Sequence, residues 1–576
     1  MSESNAMKLY RSWLESPFFD EETKEELQAL AGDPGEIEER FYMELEFGTA
    51  GLRGIIGAGT NRMNKYTVRK ASQGLANYII KQNAAKKGVA IAFDSRHFSP
   101  EFAREAALTL AANGVKAYLF DALRPTPELS FAVRYLGATA GINVTASHNP
   151  AEYNGYKVYW EDGAQITPPH DTGIMAEVRA VDITQTRTMG YGDAVAAGLL
   201  QIIGSEVDDA YVASVKAQVK SPEAVAACAA DIKIVYTPLH GAGNKLVRRV
   251  LGELGFSQVH VVAEQEQPDG AFPTVPYPNP EAPEAFALAL ELARKVDADL
   301  VLATDPDSDR LGVYVKDKAG EYHSLTGNVS GALIGDYEIG RMQDAGKLPG
   351  DGRLISTIVS GKLGKAIAEH YGAKYVEVLT GFKYIGEQIR LMEESGEGSY
   401  LFGYEESYGC LVGTYARDKD AVVASMALCE LAAYCRSLGM NMWDAVVAMY
   451  DKYGYYREGV TSLTFKGIEG KKKMDAIMER LYTEEPAQIG AFKVLAKRNY
   501  ASRERLDMLT GEKSAIDLPV SKVVFYELPD AAWCCVRPSG TEPKIKLYYG
   551  VKGSSFEDAE RLDGELKEAL NTFAGV

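Results

Sequence analysis

The 576-residue chain has only six cysteines, at positions 228, 410, 429, 435, 534 and 535, and none forms a C-x-x-C pair or a metal-ligand spacing. That excludes a disulfide framework and a thiolate metal centre, and it fits reduced thiols in a cytoplasmic protein. Positive charge is also in short supply. Lys and Arg number 62 against 80 Asp and Glu, a net charge of −18, which argues against a nucleic-acid partner. It does not exclude a small anionic substrate bound in a locally basic pocket. No apolar run is long enough to span a bilayer, and the polar start MSESNAMKLYRSW has no signal-peptide core, so no membrane partner is expected. The sequence specifies no oligomeric state.

What is present is ordinary globular composition, 46% hydrophobic and 25% charged, in a chain too long for one core. One pattern recurs three times. An apolar strand (VAIAFD from 89, IKIVYT from 232, RLISTIV from 353) leads through a short loop into an amphipathic helix and a second strand. The helices end near Gly114, Gly255 and Gly372, residues free to adopt the left-handed turn that stops a helix. Sequential strands of this kind pair in parallel. The fold class is therefore α/β, with three topologically related α/β domains. A C-terminal α+β domain follows, in which TSLTFKG and the strands KVVFYEL and WCCVRP alternate with helices. Expected boundaries are 1–205 with a helical N-terminal extension, 206–322, 323–454 and 455–576.

Four loops carry chemistry. In TASHNP (145–150) Ser147 is a candidate nucleophile, but it lies outside G-x-S-x-G. His148 beside it should diverge in an extended loop, making a poor nucleophile–base pair, and a plain turn is the competing reading. In ATDPDSDR, Asp305, Asp307 and Asp309 alternate directly after an apolar strand. An EF-hand is rejected, because Arg310 occupies the glycine position and Lys316 the bidentate glutamate position. Three close carboxylates with open coordination positions suit Mg²⁺ holding a phosphate oxygen. In GYEESYG, Glu405, Glu406 and Ser407 offer acceptors to sugar hydroxyls, and Arg417 and Lys419 follow as acid–base or anion-binding groups. In RPSGTEPKIK, Arg537 with Ser539, Gly540 and Thr541 can surround one anion, with Lys544 and Lys546 nearby. The spacing is not that of a P-loop. Nucleophile, cation site, polyol loop and phosphate cradle together are the parts of phosphoryl transfer on a sugar phosphate.

In their order, FGTAGLRG (47–54), TASHNP, DPDSDR, GYEESYG and RPSGTEPK make the chain resemble the α-D-phosphohexomutase superfamily, which includes phosphoglucomutases and phosphomannomutases. The resemblance covers nearly the whole chain and implies four domains around a central cleft. It implies that Ser147 is the phosphoserine, and that Asp305, Asp307 and Asp309 bind Mg²⁺ together with a Ser147 phosphate oxygen. Arg53, His148, Lys157 and Lys419 would surround the reaction, with Lys157 and Lys419 as acid–base candidates. A lysine serves as base only where its neighbours lower its pKa. Arg310, Thr380, Gly381, Lys383, Glu405, Ser407 and Arg417 would bind substrate. Arg537, Ser539, Gly540, Thr541 and Lys546 would hold the non-reacting phosphate. The implied reaction interconverts glucose 1-phosphate and glucose 6-phosphate through glucose 1,6-bisphosphate, which turns over without leaving. Two departures, Pro306 and Ser308 between the aspartates and Tyr404 after Gly403, resemble the branch with phosphopentomutase-like enzymes and a glucose 1,6-bisphosphate synthase. Mannose or pentose phosphate is thus the alternative substrate. A silent sugar-phosphate-binding protein and a phosphatase are the alternatives of other classes.

Overall fold

The computed structural model describes residues 4–46, 51–465, 467–538 and 544–575. The chain forms two compact units, one of Met1–Val315, Gly386–Leu391 and Gly409–Ser437, the other of Lys316–Ile385, Met392–Tyr408 and Leu438–Val576.

The first unit begins with helices Asn5–Glu15, Glu21–Ala29 and Pro34–Phe41. Ser4, Asp20 and Asp33 start them, each side chain accepting the N–H three residues on. Their apolar faces bury Trp13, Phe19 and Phe41 against Tyr66 of helix Lys65–Lys81, with Trp13 and Phe19 stacked at 4.1 Å. A six-stranded sheet follows, in the order Leu52–Ile55, Tyr153–Trp160, Ala140–Val144, Val89–Phe93, Ala117–Phe120, Leu200–Ile203. Its last four strands are parallel, as the strand–helix–strand pattern requires. Tyr153–Trp160 returns antiparallel. A second sheet repeats the plan. Lys233–Thr237 lies parallel to Gln258–Val261 and Leu300–Thr304, and Leu311–Lys316 folds back antiparallel on the latter.

Both reversals matter for function. The Ser147 loop and the aspartate loop are the tips of hairpins, each projecting from the C-terminal end of a fully buried strand. Such strand ends are where open α/β sheets bind ligands. The returning strand Tyr153–Trp160 escapes sequence reading because sheet burial on both faces removes its alternation: Asn154–Trp160 is buried throughout. The three glycines expected to stop helices, Gly114, Gly255 and Gly372, all have positive φ.

The second unit holds a parallel group, Lys374–Val378, Gly352–Thr357 and Ser399–Glu405. It also holds a seven-stranded sheet covered by helices Gly467–Thr483 and Phe556–Ala574. In the latter sheet Tyr455–Thr464, Lys544–Gly553, Trp533–Pro538 and Val524–Glu527 are successive antiparallel neighbours. This is the α+β arrangement expected of the C-terminal region. No single helix among the described residues is long and apolar enough to cross a membrane.

Glu458, on Tyr455–Thr464, reaches so close to Gly361 that a Cβ there would lie 2.2 Å from Oε1, and Gly361 has φ +79. Burial, with Asp563 acting in the same direction against an Asn328 hydrogen bond, pushes its carboxyl up to about 8. A raised folded-state pKa gives stability that is complete below the unfolded value and lost as pH rises through the folded one. Stability should therefore decline between about pH 4.3 and 8. Glu458→Gln should flatten that slope and gain on the order of 1 kcal/mol at pH 9, a discounted figure because the side chain keeps some solvent contact. Urea unfolding at pH 6 and pH 9 measures both.

Candidate active site

The serine loop is built around one left-handed residue. Ser147 has φ +53, a cost that only surrounding hydrogen bonds sustain. Its N–H donates to Thr145 Oγ1 at 2.8 Å, and Thr145 donates to Asp94 Oδ2 at 2.6 Å. The turn also brings His148 Nδ1 to 3.1 Å from Ser147 Oγ. The expectation that these neighbours diverge holds only for an extended loop, and the left-handed φ overturns it. Burial, reinforced by Arg310 and Arg53, holds the His148 ring well below its usual pKa and therefore neutral.

Arg96 supports the same loop from beneath. Its buried guanidinium donates to the carbonyl oxygens of Ser147 (2.5 Å), Asn149, Pro150 (2.8 Å) and Tyr153 (3.0 Å). Asp94 faces its Nε at 3.3 Å. Sequence reading took SRHFSP as a connecting loop and missed this residue. The available signal was an Asp and an Arg just after a buried strand. Lysine cannot reproduce a planar fork with several donors. Arg96→Lys is expected to lower turnover about 100-fold and stability by about 2–3 kcal/mol, measured by steady-state kinetics and urea unfolding.

Ser147 Oγ donates to Asp305 Oδ2 at 2.8 Å. Asp305 Oδ1 accepts the N–H groups of Asp309 (3.1 Å) and Arg310 (3.0 Å). Asp307 Oδ2 accepts from Thr126 Oγ1 at 2.8 Å and Lys157 Nζ at 2.7 Å. Asp309 Oδ2 lies 3.4 Å from Lys157 Nζ and 3.3 Å from Lys419 Nζ. Ligand oxygens of the three buried aspartates come within 4.8 Å of one another. The other oxygens of Asp307 and Asp309 are buried without a hydrogen-bond partner. Unsatisfied buried carboxylate oxygens are costly. Three converging carboxylates, two of them with an unpartnered oxygen, are what a hard divalent cation requires, so the residues fit a metal. Burial and the charges of Asp307 and Asp309 hold the Asp305 carboxyl well above its usual range. Against the pull of burial, Lys419 and Lys157 hold Asp309 below it.

The metal loop has a support that sequence reading missed. Ala242 donates to the Pro306 carbonyl at 2.8 Å, and a Cβ on Gly241 would lie 2.4 Å from Pro306 Cα. The HGAG segment is thus a glycine-dependent backing for the aspartates, not only a strand–helix connection.

Lys157 is buried, which alone would lower its pKa, but Asp307 and Asp309 outweigh burial and raise it. The condition for a lysine base is therefore not met at Lys157. Arg53 donates to Asn149 Oδ1 at 3.2 Å and Arg310 pairs with Glu281 at 2.6 Å. Arg417 is fully buried and donates to the carbonyls of its own loop, at Thr414 and at Ala416 (3.0 Å).

In the second unit, Glu405 Oε1 accepts the Gly381 N–H at 2.7 Å. The adjacent Thr380 Oγ1 is buried without a hydrogen-bond partner. Lys383 is buried with its ammonium 5.2 Å from the Tyr384 ring, while Ser407 is half-buried. Glu406 serves its own fold: Oε2 accepts from Thr357 (3.2 Å) and Ser360 (3.1 Å). Tyr404 is wholly buried, its ring filling the space left by Gly331 and Gly364, so this departure is a packing substitution. Arg537 and Lys546 are direct cross-strand partners. Ser539, Gly540 and Thr541 lie outside the described residues.

Three family models match in succession: phosphoglucomutase/phosphomannomutase α/β/α domain I over residues 44–185, domain II over 209–320 and domain III over 326–453. The chain belongs to the phosphoglucomutase/phosphomannomutase family. Within it, a phosphoglucomutase of Staphylococcus epidermidis is 38% identical over 544 residues, 94% of this chain and 95% of that one. A phosphoglucomutase of Staphylococcus aureus is 38% identical over 534 residues, 91% and 93% of the two chains. The open-form crystal structure of the Paramecium phosphoglucomutase parafusin shares the fold, with a TM-score of 0.66 at 17% identity over 93% of this chain and 96% of that one. As a phosphohexomutase, the chain is an enzyme of the isomerase class.

Proposed function

We propose that the enzyme interconverts glucose 1-phosphate and glucose 6-phosphate through phospho-Ser147 and a bound glucose 1,6-bisphosphate. The observation that carries this reading is Ser147 Oγ at 2.8 Å from Asp305, in a buried trio whose carboxylates converge and in which Asp307 and Asp309 each keep an unpartnered oxygen. The sugar's free hydroxyl attacks the phosphoserine phosphorus, the bond to Ser147 Oγ breaks, and the hydroxyl's proton is carried over to the released Ser147 oxygen. After reorientation the other phosphate returns to Ser147. Mg²⁺, which Asp305, Asp307 and Asp309 would hold with a phosphate oxygen on Ser147, would neutralise charge on the transferring group.

The chain's residues divide the remaining work. Thr126 and Lys157 fix one oxygen of Asp307, leaving the other for the cation. Lys157 and Lys419 are the groups that give protons to developing oxyanions, and neutral His148 accepts at Ser147. Arg53 and Arg310 supply positive charge. Family resemblance assigns Thr380, Gly381, Lys383, Glu405 and Ser407 to the sugar, and Arg537, Ser539, Gly540, Thr541 and Lys546 to the phosphate that is not transferred. Arg417, given its burial, shapes the loop that carries Lys419. Four domains divided at about 205, 322 and 454, and a cytoplasmic setting for the six free thiols, complete the reading.

The test is a panel of glucose, mannose and pentose 1-phosphates assayed for isomeric product and for free phosphate. Glucose 1-phosphate should give the highest kcat/KM, with no phosphate released. A glucose rate far below the others moves the substrate to mannose or pentose phosphate. Release of phosphate in place of isomer rejects the mutase.

A further inference from the structure

Strand Tyr153–Trp160 presents two side chains, two residues apart and hence on one face, to the aspartate site. Lys157 reaches it directly. Tyr159 reaches it through an intermediary. Its hydroxyl donates to Asp418 Oδ2 at 2.8 Å, and Asp418 Oδ1 lies 3.1 Å from Lys419 Nζ and accepts the Lys419 N–H at 2.8 Å. Lys419 Nζ then lies 3.3 Å from Asp309 Oδ2. Gln165 Nε2 donates to the Tyr159 oxygen at 3.2 Å, which leaves the phenol proton for Asp418. Tyr159 is wholly buried and Asp418 nearly so. Gly409 shapes the path of the lysine, because a Cβ there would lie 2.0 Å from Lys419 Cδ.

From this chain of contacts we infer that Tyr159 and Asp418 are positioning residues for catalysis, aiming the Lys419 ammonium at the Asp309 side of the reacting centre. A lysine on a flexible four-carbon stem needs such anchoring. Burial and the Asp418 charge raise the phenol's pKa well above its usual value, so Tyr159 remains a donor at every working pH. A structural role alone would make the Tyr159 hydroxyl matter for stability and not for turnover. The inference rests on the proposed role of Lys419.

The test is a double-mutant cycle with Tyr159→Phe and Lys419→Met, repeated with Asp418→Asn in place of the tyrosine change. Tyr159→Phe should lower kcat about 10-fold, the worth of one charge-assisted hydrogen bond, with KM changed less than about twofold. On the Lys419→Met background the same change should cost less than about twofold further. Wild-type kcat in both Tyr159→Phe and Asp418→Asn overturns the inference. So does a loss that multiplies with Lys419→Met, or one carried by KM. Lys419→Met with wild-type turnover overturns something different, the role of Lys419 itself. Thermal unfolding of each variant shows whether it folds. If Tyr159→Phe does not, the Asp418→Asn cycle decides, with the same expected and overturning results.

Discussion

Ser147→Ala is expected to lower turnover by about 10⁴-fold or more, the scale on which loss of a covalent nucleophile acts. Intact-mass and peptide spectrometry should find a single phosphoryl group on Ser147 in at least part of the purified wild-type protein and none in the variant. It should still fold. The change deletes one hydroxyl and its 2.8 Å bond to Asp305, while Arg96 and Thr145 continue to hold the backbone of the loop. A stability change within about 2 kcal/mol follows. Normal turnover by a folded Ser147→Ala protein would end the covalent route and with it the proposed cycle.

Removal of divalent cations should be nearly as damaging, lowering kcat by about 10³-fold or more, with recovery on adding Mg²⁺. Asp305→Asn should lose activity to a similar degree without recovery. Stability gives a second readout with a definite sign. Asp305 is held above its unfolded pKa by burial and by Asp307 and Asp309. Its contribution is therefore complete below the unfolded value near 4 and declines as pH rises toward the folded value. Chelated protein should melt at lower temperature as pH rises above about 4. Mg²⁺ at 100 times its Kd should return about 2.7 kcal/mol, and more of the lost melting temperature at pH 8 than at pH 5. Melting curves indifferent to Mg²⁺ at both pH values would remove the cation from the trio.

Much of this site is legible in the chain itself, for reasons that differ by residue. The aspartates at 305, 307 and 309 stand out because alternating carboxylates after a fully apolar strand have no solvated face to justify them. The helix-stopping glycines stand out because only a few conformations end a helix, and glycine is the residue that adopts them without cost. Glu406 and Tyr404 show the limit of the same reasoning. Type and spacing place them in a binding loop, yet one is occupied by Thr357 and Ser360 and the other is packed into the core.

The three strand–helix–strand units, the aspartate loop, the serine and the family motifs were determined by the sequence, because local patterning and short motifs are properties of neighbouring residues. Tertiary structure alone decided that Ser147 and His148 converge, that Arg96 binds four carbonyls of the serine loop, and that Lys157 pairs with Asp307 and Asp309. It also decided that Tyr159 reaches Lys419 through Asp418. Each of these depends on a backbone dihedral or a donor–acceptor direction between residues far apart in the chain, and no pattern along the chain encodes such an angle.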